Sequence, residues 1–284
     1  MSNEASDSTS QEPLRKAAAF RALHERPGAF LIPNPWDAGS ARMLSALGFE
    51  ALATTSAGLA FSLGRRDGSA SRDETLRNAR AIVGATPLPV SADLENGFGA
   101  APEAVAETIR LAAAIGLAGG SIEDATGDPE RPIYDHGHAV ERIAAAVEAA
   151  RSLPFPFLLT ARAENFLHNR PDLGETLRRL VEFEKAGADV LYAPGLPGLD
   201  AIRTVCRAVS RPVNVLGGPG LSVRALADAG VKRISVGSGL SRAALGAFLH
   251  AARELREAGT FEFLREALPY ADANAFMPPG PPRG

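Results

Sequence analysis

Four charged residues stand where short apolar runs end. Asp93 and Glu95 close Val-Ser-Ala-Asp-Leu-Glu-Asn-Gly, Glu123 closes Gly-Ser-Ile-Glu-Asp, and Arg162 closes Leu-Thr-Ala-Arg-Ala-Glu-Asn. Asp93 and Glu95 are two apart, so on an extended strand end they point the same way. Carboxylates that converge in a small volume raise one another's pKa unless a cation sits among them. Hard oxygen donors without His or Cys beside them select Mg2+, or Mn2+, over zinc. Asp93, Glu95 and Glu123 are therefore the candidate metal set; the alternative is that they cap helices or pair with arginines. Arg162 presents a planar fork that grips a substrate carboxylate, and it can equally neutralise Glu95 or Glu123. A further run ends Ala-Thr-Thr55-Ser56-Ala57-Gly58, whose N–H groups and hydroxyls suit an oxyanion or form a plain turn. Asn214 is a candidate pocket-lining residue.

The elements that must position these groups follow from a repeated punctuation. Ala-Leu-Gly48-Phe, Ala-Ile-Gly116-Leu, Lys-Ala-Gly187-Ala and Asp-Ala-Gly230-Val each close a helical pattern with a glycine, then start a short apolar run. The glycine suits a left-handed helix cap, and the run reads as a buried strand. Strands are expected near 29–32, 51–55, 88–93, 119–123, 158–162, 190–193, 213–216 and 233–236. Helices are expected over 37–47, 72–83, 102–115, 138–152, 172–186, 199–209 and 222–229, with an eighth from Ser241 and a last one over 261–268. Asp37 and Ser222 serve as helix caps, and Pro102 occupies a first turn. Eight alternating units predict an α/β protein, a (β/α)8 TIM barrel, with an open doubly wound sheet as the structural alternative. In a barrel, residues ending strands face the active site, and these polar residues do end strands.

The 284 residues, 45% hydrophobic and 22% charged, suit one barrel domain over 13–270. Residues 1–12 read as a disordered tail and 271–284 as a Pro-rich one. A net charge of −3 without a basic stripe argues against nucleic acid. The single cysteine, Cys206, excludes an intramolecular disulfide. No membrane span or signal segment is read, so a cytoplasmic location is expected.

Ser-Leu-Gly-Arg-Arg-Asp67, Ala-Asp93-Leu-Glu95-Asn-Gly-Phe-Gly, Ser-Ile-Glu123-Asp124 and Ala-Arg-x-Glu, taken together, resemble the isocitrate lyase/phosphoenolpyruvate mutase superfamily over nearly all of residues 15–270. The resemblance implies a barrel of the phosphoenolpyruvate mutase type, often with its last helix swapped between subunits, in a homodimer or homotetramer. It implies that Asp93 touches Mg2+, that Glu95 and Glu123 hold the ion largely through water, and that Asp67 belongs to the catalytic metal shell. It makes Arg162 the substrate-carboxylate clamp. Ala57 and Gly58 align with a Ser-Gly pair that binds the substrate oxyanion, the serine here being alanine.

The loop after the fourth strand departs from the pattern: Asp124 to His138 holds no cysteine and no lysine. Isocitrate lyase, methylisocitrate lyase and phosphoenolpyruvate mutase activities are therefore disfavoured. Tyr134, His136 and His138 are candidate loop acids, with Arg131 placed to close over an anion. The expected function is a Mg2+-dependent enzyme making or breaking a C–C or P–C bond beside an α-oxo acid through an enolate-like oxyanion, foremost a lyase on a small 2-hydroxy or oxo carboxylate. The substrate is a small carboxylate or phosphonate. Alternatives left open are a hydrolase or phosphonomutase on the same site, a barrel synthase binding phosphate at Gly217 and Gly237, and a non-catalytic oxyacid binder.

Overall fold

The glycine-capped grammar translates into alternating helices and parallel strands. The computed structural model describes residues 4–279, with side chains from residue 11. In chain order the elements are α1 (Glu4–Glu25), β1 (Phe30–Leu31), α2 (Ala38–Ala46), β2 (Leu52–Ala53), α3 (Ser56–Ser62), α4 (Arg72–Ala85), β3 (Val90–Asp93), α5 (Pro102–Ala114), β4 (Gly119–Glu123) and α6 (His136–Arg151). There follow β5 (Leu158–Arg162), α7 (Leu173–Lys185), β6 (Val190–Tyr192), α8 (Leu199–Ala208), β7 (Val213–Leu216), α9 (Val223–Asp228), β8 (Arg233–Ser235), α10 (Gly239–Glu257) and α11 (Tyr270–Ala275). All ladders are parallel, in the order β1-β8-β7-β6-β5-β4-β3-β2. The Ala53 N–H donates to the Pro33 carbonyl at 3.1 Å, joining the two ends of that order and closing the barrel.

Gly48, Gly116, Gly187 and Gly230 all have positive φ, between 84° and 102°. Each ends its helix in the left-handed conformation that a side chain resists. Asp37 forms a capping box with Ser40, Ser222 caps α9, and Pro102 opens α5. The main apolar core lies between strands and outer helices, around Ile82, Ile109, Ile122 and Phe183.

The barrel lumen is different. Its filling is polar: the buried Arg233 guanidinium crosses it, donating from Nε to Asn214 Oδ1 and from an η-nitrogen to Thr160 Oγ1, both at 2.8 Å. Below, α1 plugs the amino-terminal end with Phe20 and Leu23 against Phe30, Ile32 and Leu158.

Three expectations need correction. The helix α1 begins at Glu4, inside the segment expected as a tail, because Ala17, Phe20 and Leu23 recur at helical spacing and are buried. Residues 1–3 and 280–284 lie outside the described residues. The run ending at Gly58, expected as an oxyanion-binding loop or plain turn, instead opens the helix α3 (Ser56–Ser62), capped by Thr55. At the carboxyl end, only Glu262–Arg265 forms a short 3-10 helix within 261–268, and α11 falls at the start of the Pro-rich segment. Among the described residues no helix is long and apolar enough to cross a membrane.

His24 makes the floor of the barrel pH-sensitive. Its Nδ1 faces the Phe20 carbonyl at 2.8 Å, and its Nε2 lies 3.4 Å from an Arg233 nitrogen, which can only donate. The ring must therefore stay neutral; burial, then the Arg233 charge, holds its pKa near 3 rather than 6.5. The unfolded chain binds a proton that the folded one refuses, so this contribution is complete above pH 6.5 and is lost as pH falls toward 3, at about 1.4 kcal/mol per pH unit. Chemical denaturation of His24→Gln between pH 7 and pH 4.5 should show a shallower loss of stability than the parent.

Candidate active site

β4, β5 and β6 are in register so that Glu123, Arg162 and Tyr192 are ladder neighbours at the carboxyl end of the barrel. Arg162 is 13% exposed and pairs with three carboxylates. Its η-nitrogens reach Asp93 at 2.9 Å and Glu123 at 3.2 Å, and its Nε reaches Glu164 at 2.8 Å. Its guanidinium carbon lies 5.3 Å from the centre of the Tyr192 ring. Burial works against the charge, but Glu164, Asp93 and Glu123 together outweigh it and raise the Arg162 pKa. Glu164 is buried, and its N–H donates to Asp124, which in turn pairs with Arg179 at 3.0 Å.

Asp93 ends β3 and is tightly tethered. Its N–H donates to Thr54 Oγ1 at 2.9 Å, while its carboxylate accepts the Ser56 N–H at 3.2 Å. Glu95 lies beyond the strand end with φ 48°, so it approaches Asp93 through a left-handed turn, not through the strand alternation expected from spacing. One Glu95 carboxylate oxygen, Oε1, is buried with no hydrogen-bond partner. Burial, then the charges of Asp93 and Asp67, push Glu95 up to about 7. Asp67, at the exposed rim, is also raised, by partial burial and by Asp93. Burial raises Glu123 too, and the Arg162 attraction does not overcome it.

Asp93, Glu95 and Glu123 do not converge on one point as their strand-end positions suggest. Arg162 stands between Asp93 and Glu123, and among the described residues no three His, Cys, Asp or Glu side chains form a ready metal cage. The donor chemistry nonetheless fits a hard divalent ion, because Glu95 Oε1 is uncompensated beside two further carboxylates.

Other expected residues are placed as follows. Thr55 caps α3, its Oγ1 accepting the Gly58 N–H at 3.2 Å. Gly58 is packed so closely that a Cβ would fall 2.6 Å from Thr55 Cγ2. Ser56 and Ala57 form the first turn of α3, whose N–H groups point out of the helix start. Asn214 is 2% exposed, with both ends of its amide bonded to Arg233 and Ser235, and it lines the cavity beneath Asp93, Arg162 and Tyr192. His136 lines a surface cleft with Leu177 and Val181 of α7, on the outside of the barrel. Tyr134 packs beneath the Arg142 guanidinium, and His138 donates to the Ala100 carbonyl at 2.9 Å. Arg131 projects into solvent. In the glycine loops after β7 and β8 the Gly217 N–H donates to the Ser235 carbonyl, and the Val236 and Gly237 N–H groups donate to Asn34 Oδ1. Glu164 is a member of the site that strand-end reasoning leaves without a role; its place two residues after Arg162 in Ala-Arg-x-Glu is the one signal for it.

Comparison with known proteins agrees with this architecture. The family model for phosphoenolpyruvate phosphomutase matches residues 20–256. The chain belongs to the isocitrate lyase/phosphoenolpyruvate mutase superfamily. It is 62% identical to a provisionally assigned lyase/mutase of known structure from Burkholderia cenocepacia, with a TM-score of 0.92 over 93% of this chain and 97% of that one. It is 33% identical to an uncharacterized protein of Mycobacterium tuberculosis, over 90% of this chain and 95% of that one. It is 30% identical to the 2-methylisocitrate lyase of Salmonella typhimurium, over 69% of this chain and 68% of the lyase. The chain is an enzyme of this superfamily of lyases and mutases, and its fold is the superfamily's (β/α)8 barrel.

The uncompensated charge of Glu95 carries a stability consequence. Between pH 4.5 and about 7 the folded chain retains a proton that the unfolded chain has lost, so stability falls as pH rises through that window. Glu95→Gln should therefore raise the melting temperature of metal-free protein at pH 8, by about 5 °C, and leave it nearly unchanged at pH 4.5, in a calorimetric comparison with the parent.

Proposed function

We propose that this enzyme is a Mg2+-dependent lyase, with Mn2+ as substitute, that breaks a C–C bond beside an α-oxo or 2-hydroxy carboxylate. The observation that carries the reading is the partnerless Glu95 Oε1 beside Asp93 and Asp67, a surplus of carboxylate that Arg162 does not neutralise. Asp93 and Glu95, with Glu123 and Asp67 near them, would hold the ion, in part through water. When bound, the ion supplies polarisation of the α-oxo acid and stabilises the oxyanion that develops as the bond breaks.

The chain's own residues do the rest. Arg162 fixes the inner carboxylates, and gripping the substrate acid would require it to release one of them. In the first turn of α3 the Ser56 N–H is held by Asp93 and the Gly58 N–H by Thr55, which leaves the Ala57 N–H as the donor for a developing oxyanion. Asp67 stands at the rim, where burial and the neighbouring Asp93 raise its pKa. The loop from Asp124 to His138 lacks the cysteine and lysine of methylisocitrate-type lyases, which favours a different small substrate for this chain. Phosphonate or oxaloacetate-type hydrolysis on the same carboxylates is the second reading. The phosphate-binding synthase reading loses its support, because Gly217 and Gly237 donate within the protein.

A panel of 2-hydroxy and oxo di- and tricarboxylates, followed by release of pyruvate, glyoxylate or oxalate, tests this. Turnover should vanish on chelation, return with Mg2+, and fall at least about a thousandfold in Asp93→Ala. Turnover that persists without divalent ions excludes the proposal.

We also propose a homodimer or homotetramer with α10 exchanged between subunits. Ser241 is the helix's one buried residue, while Phe248 (67% exposed), Leu249 and the following Phe261 and Tyr270 lie open, and exposed large apolar side chains clustered along one segment mark interaction surfaces. Light scattering should give an oligomer for the parent and a monomer for Phe248→Asp; a monomeric parent contradicts the assembly.

A further inference from the structure

The segment that carries Glu95 is bent against its own preferences. Glu95, Gly97 and Phe98 have φ of 48°, 80° and 59°, so two of three left-handed positions hold residues that rarely adopt that region. Such backbone persists only where its surroundings over-determine it. The Phe98 N–H closes onto Asn96 Oδ1 at 3.0 Å, and Thr108 donates to the Gly97 carbonyl at 2.8 Å. The dominant clamp comes from α6.

Arg142 is 1% exposed. Its guanidinium donates to the carbonyls of Gly99 at 2.5 Å and Ala100 at 2.7 Å, and also to that of Asn96. All three acceptors belong to the stretch directly after Glu95, and none is a carboxylate. One face of the guanidinium covers the Tyr134 ring, 4.2 Å from its centre. His138, one turn earlier on α6, adds its own bond to Ala100 and meets the edge of the same ring. A buried guanidinium with no anion is costly to keep, and burial accordingly lowers its pKa. Its rigid fork of donors is, however, suited to gathering several carbonyls of one curled main chain.

We infer that Arg142 is a positioning residue for Glu95: it holds main chain 96–100 in the turn that brings Glu95 beside Asp93, and Tyr134 is the platform beneath its guanidinium. Tyr134 thereby acts through its ring rather than as a proton donor. The inference rests on the proposed cation site only for its effect on metal affinity; the backbone clamp stands without it.

Two readouts test it on the full chain: amide hydrogen exchange, and Mn2+ affinity by titration with the metal alone. In Arg142→Met, exchange over residues 95–101 should accelerate about tenfold or more while β5 amides stay protected. Mn2+ affinity should fall about tenfold. Arg142→Lys, which keeps charge and bulk but loses the fork, should loosen the same segment to a smaller extent, and it decides the matter if the Met variant does not fold. Tyr134→Phe should match the parent in both readouts, and Tyr134→Ala should resemble Arg142→Met. Unchanged exchange at 95–101, or an acceleration spread evenly over the whole barrel, would overturn the inference, as would a Tyr134→Phe variant as defective as Tyr134→Ala. A parent that takes up no Mn2+ removes the cation reading, and the exchange pattern still decides the role of Arg142.

Discussion

Arg162 occupies the centre of the barrel mouth, and each of its three nitrogens meets a different carboxylate: Asp93, Glu123 and Glu164. At 13% exposure such an arrangement is stable only if attraction offsets the desolvation of all four groups. Three anions around one cation leave a negative remainder, and Glu95 and Asp67 enlarge it. The structure therefore has an inner charge balance that is fixed and an outer one that is open. Glu95 Oε1 marks the open side, since a buried carboxylate oxygen without a partner is a place where protein alone has not satisfied its own chemistry.

The rest of the fold serves that centre. Register between β4, β5 and β6 sets Glu123 and Tyr192 on either side of Arg162. Thr54 and the start of α3 fix Asp93 from the other side. The Asp124–Arg179 pair anchors the Glu164 main chain from behind, so the third carboxylate is held by a buried ion pair of its own. Beneath, the lumen is filled by Arg233, Asn214 and Thr160 instead of by branched aliphatics, and α1 seals it from below. A polar lumen of this kind specifies one packing more sharply than a greasy one, because each member has a single partner geometry to satisfy.

Much of this is legible in the residues. Four of the eight strands, β2, β4, β6 and β8, lie where short apolar runs follow glycine caps, because a left-handed cap and a buried parallel strand each leave a strong local signature. The strand-end rule likewise singles out Asp93, Glu123 and Arg162, since a charged residue closing a buried run is costly unless it meets a partner there. What escapes depends on distance, not spacing. Nothing in the sequence says that Arg162 saturates itself on three acids, or that Glu164 is one of them. Spacing puts Glu95 beside Asp93 through strand alternation, yet the strand stops at Asp93 and a turn does the work. The helix α1 is hidden because its polar first half and Pro13 mask the Ala17, Phe20 and Leu23 stripe. His136 illustrates the converse: a residue type able to shuttle protons, set by the helix on the outer face of the barrel.

The central claim is that the carboxylates left over by Arg162 complete themselves with a divalent ion carrying a small oxyacid. Diffraction from crystals soaked in Mn2+ and oxalate tests it most directly, because the anomalous signal locates the metal independently of the rest of the density. The account predicts a manganese peak at the Asp93 carboxylate with Glu95 turned toward it and oxalate on the ion. A saturating soak that leaves no peak there, or oxalate bound elsewhere on the molecule, would contradict it.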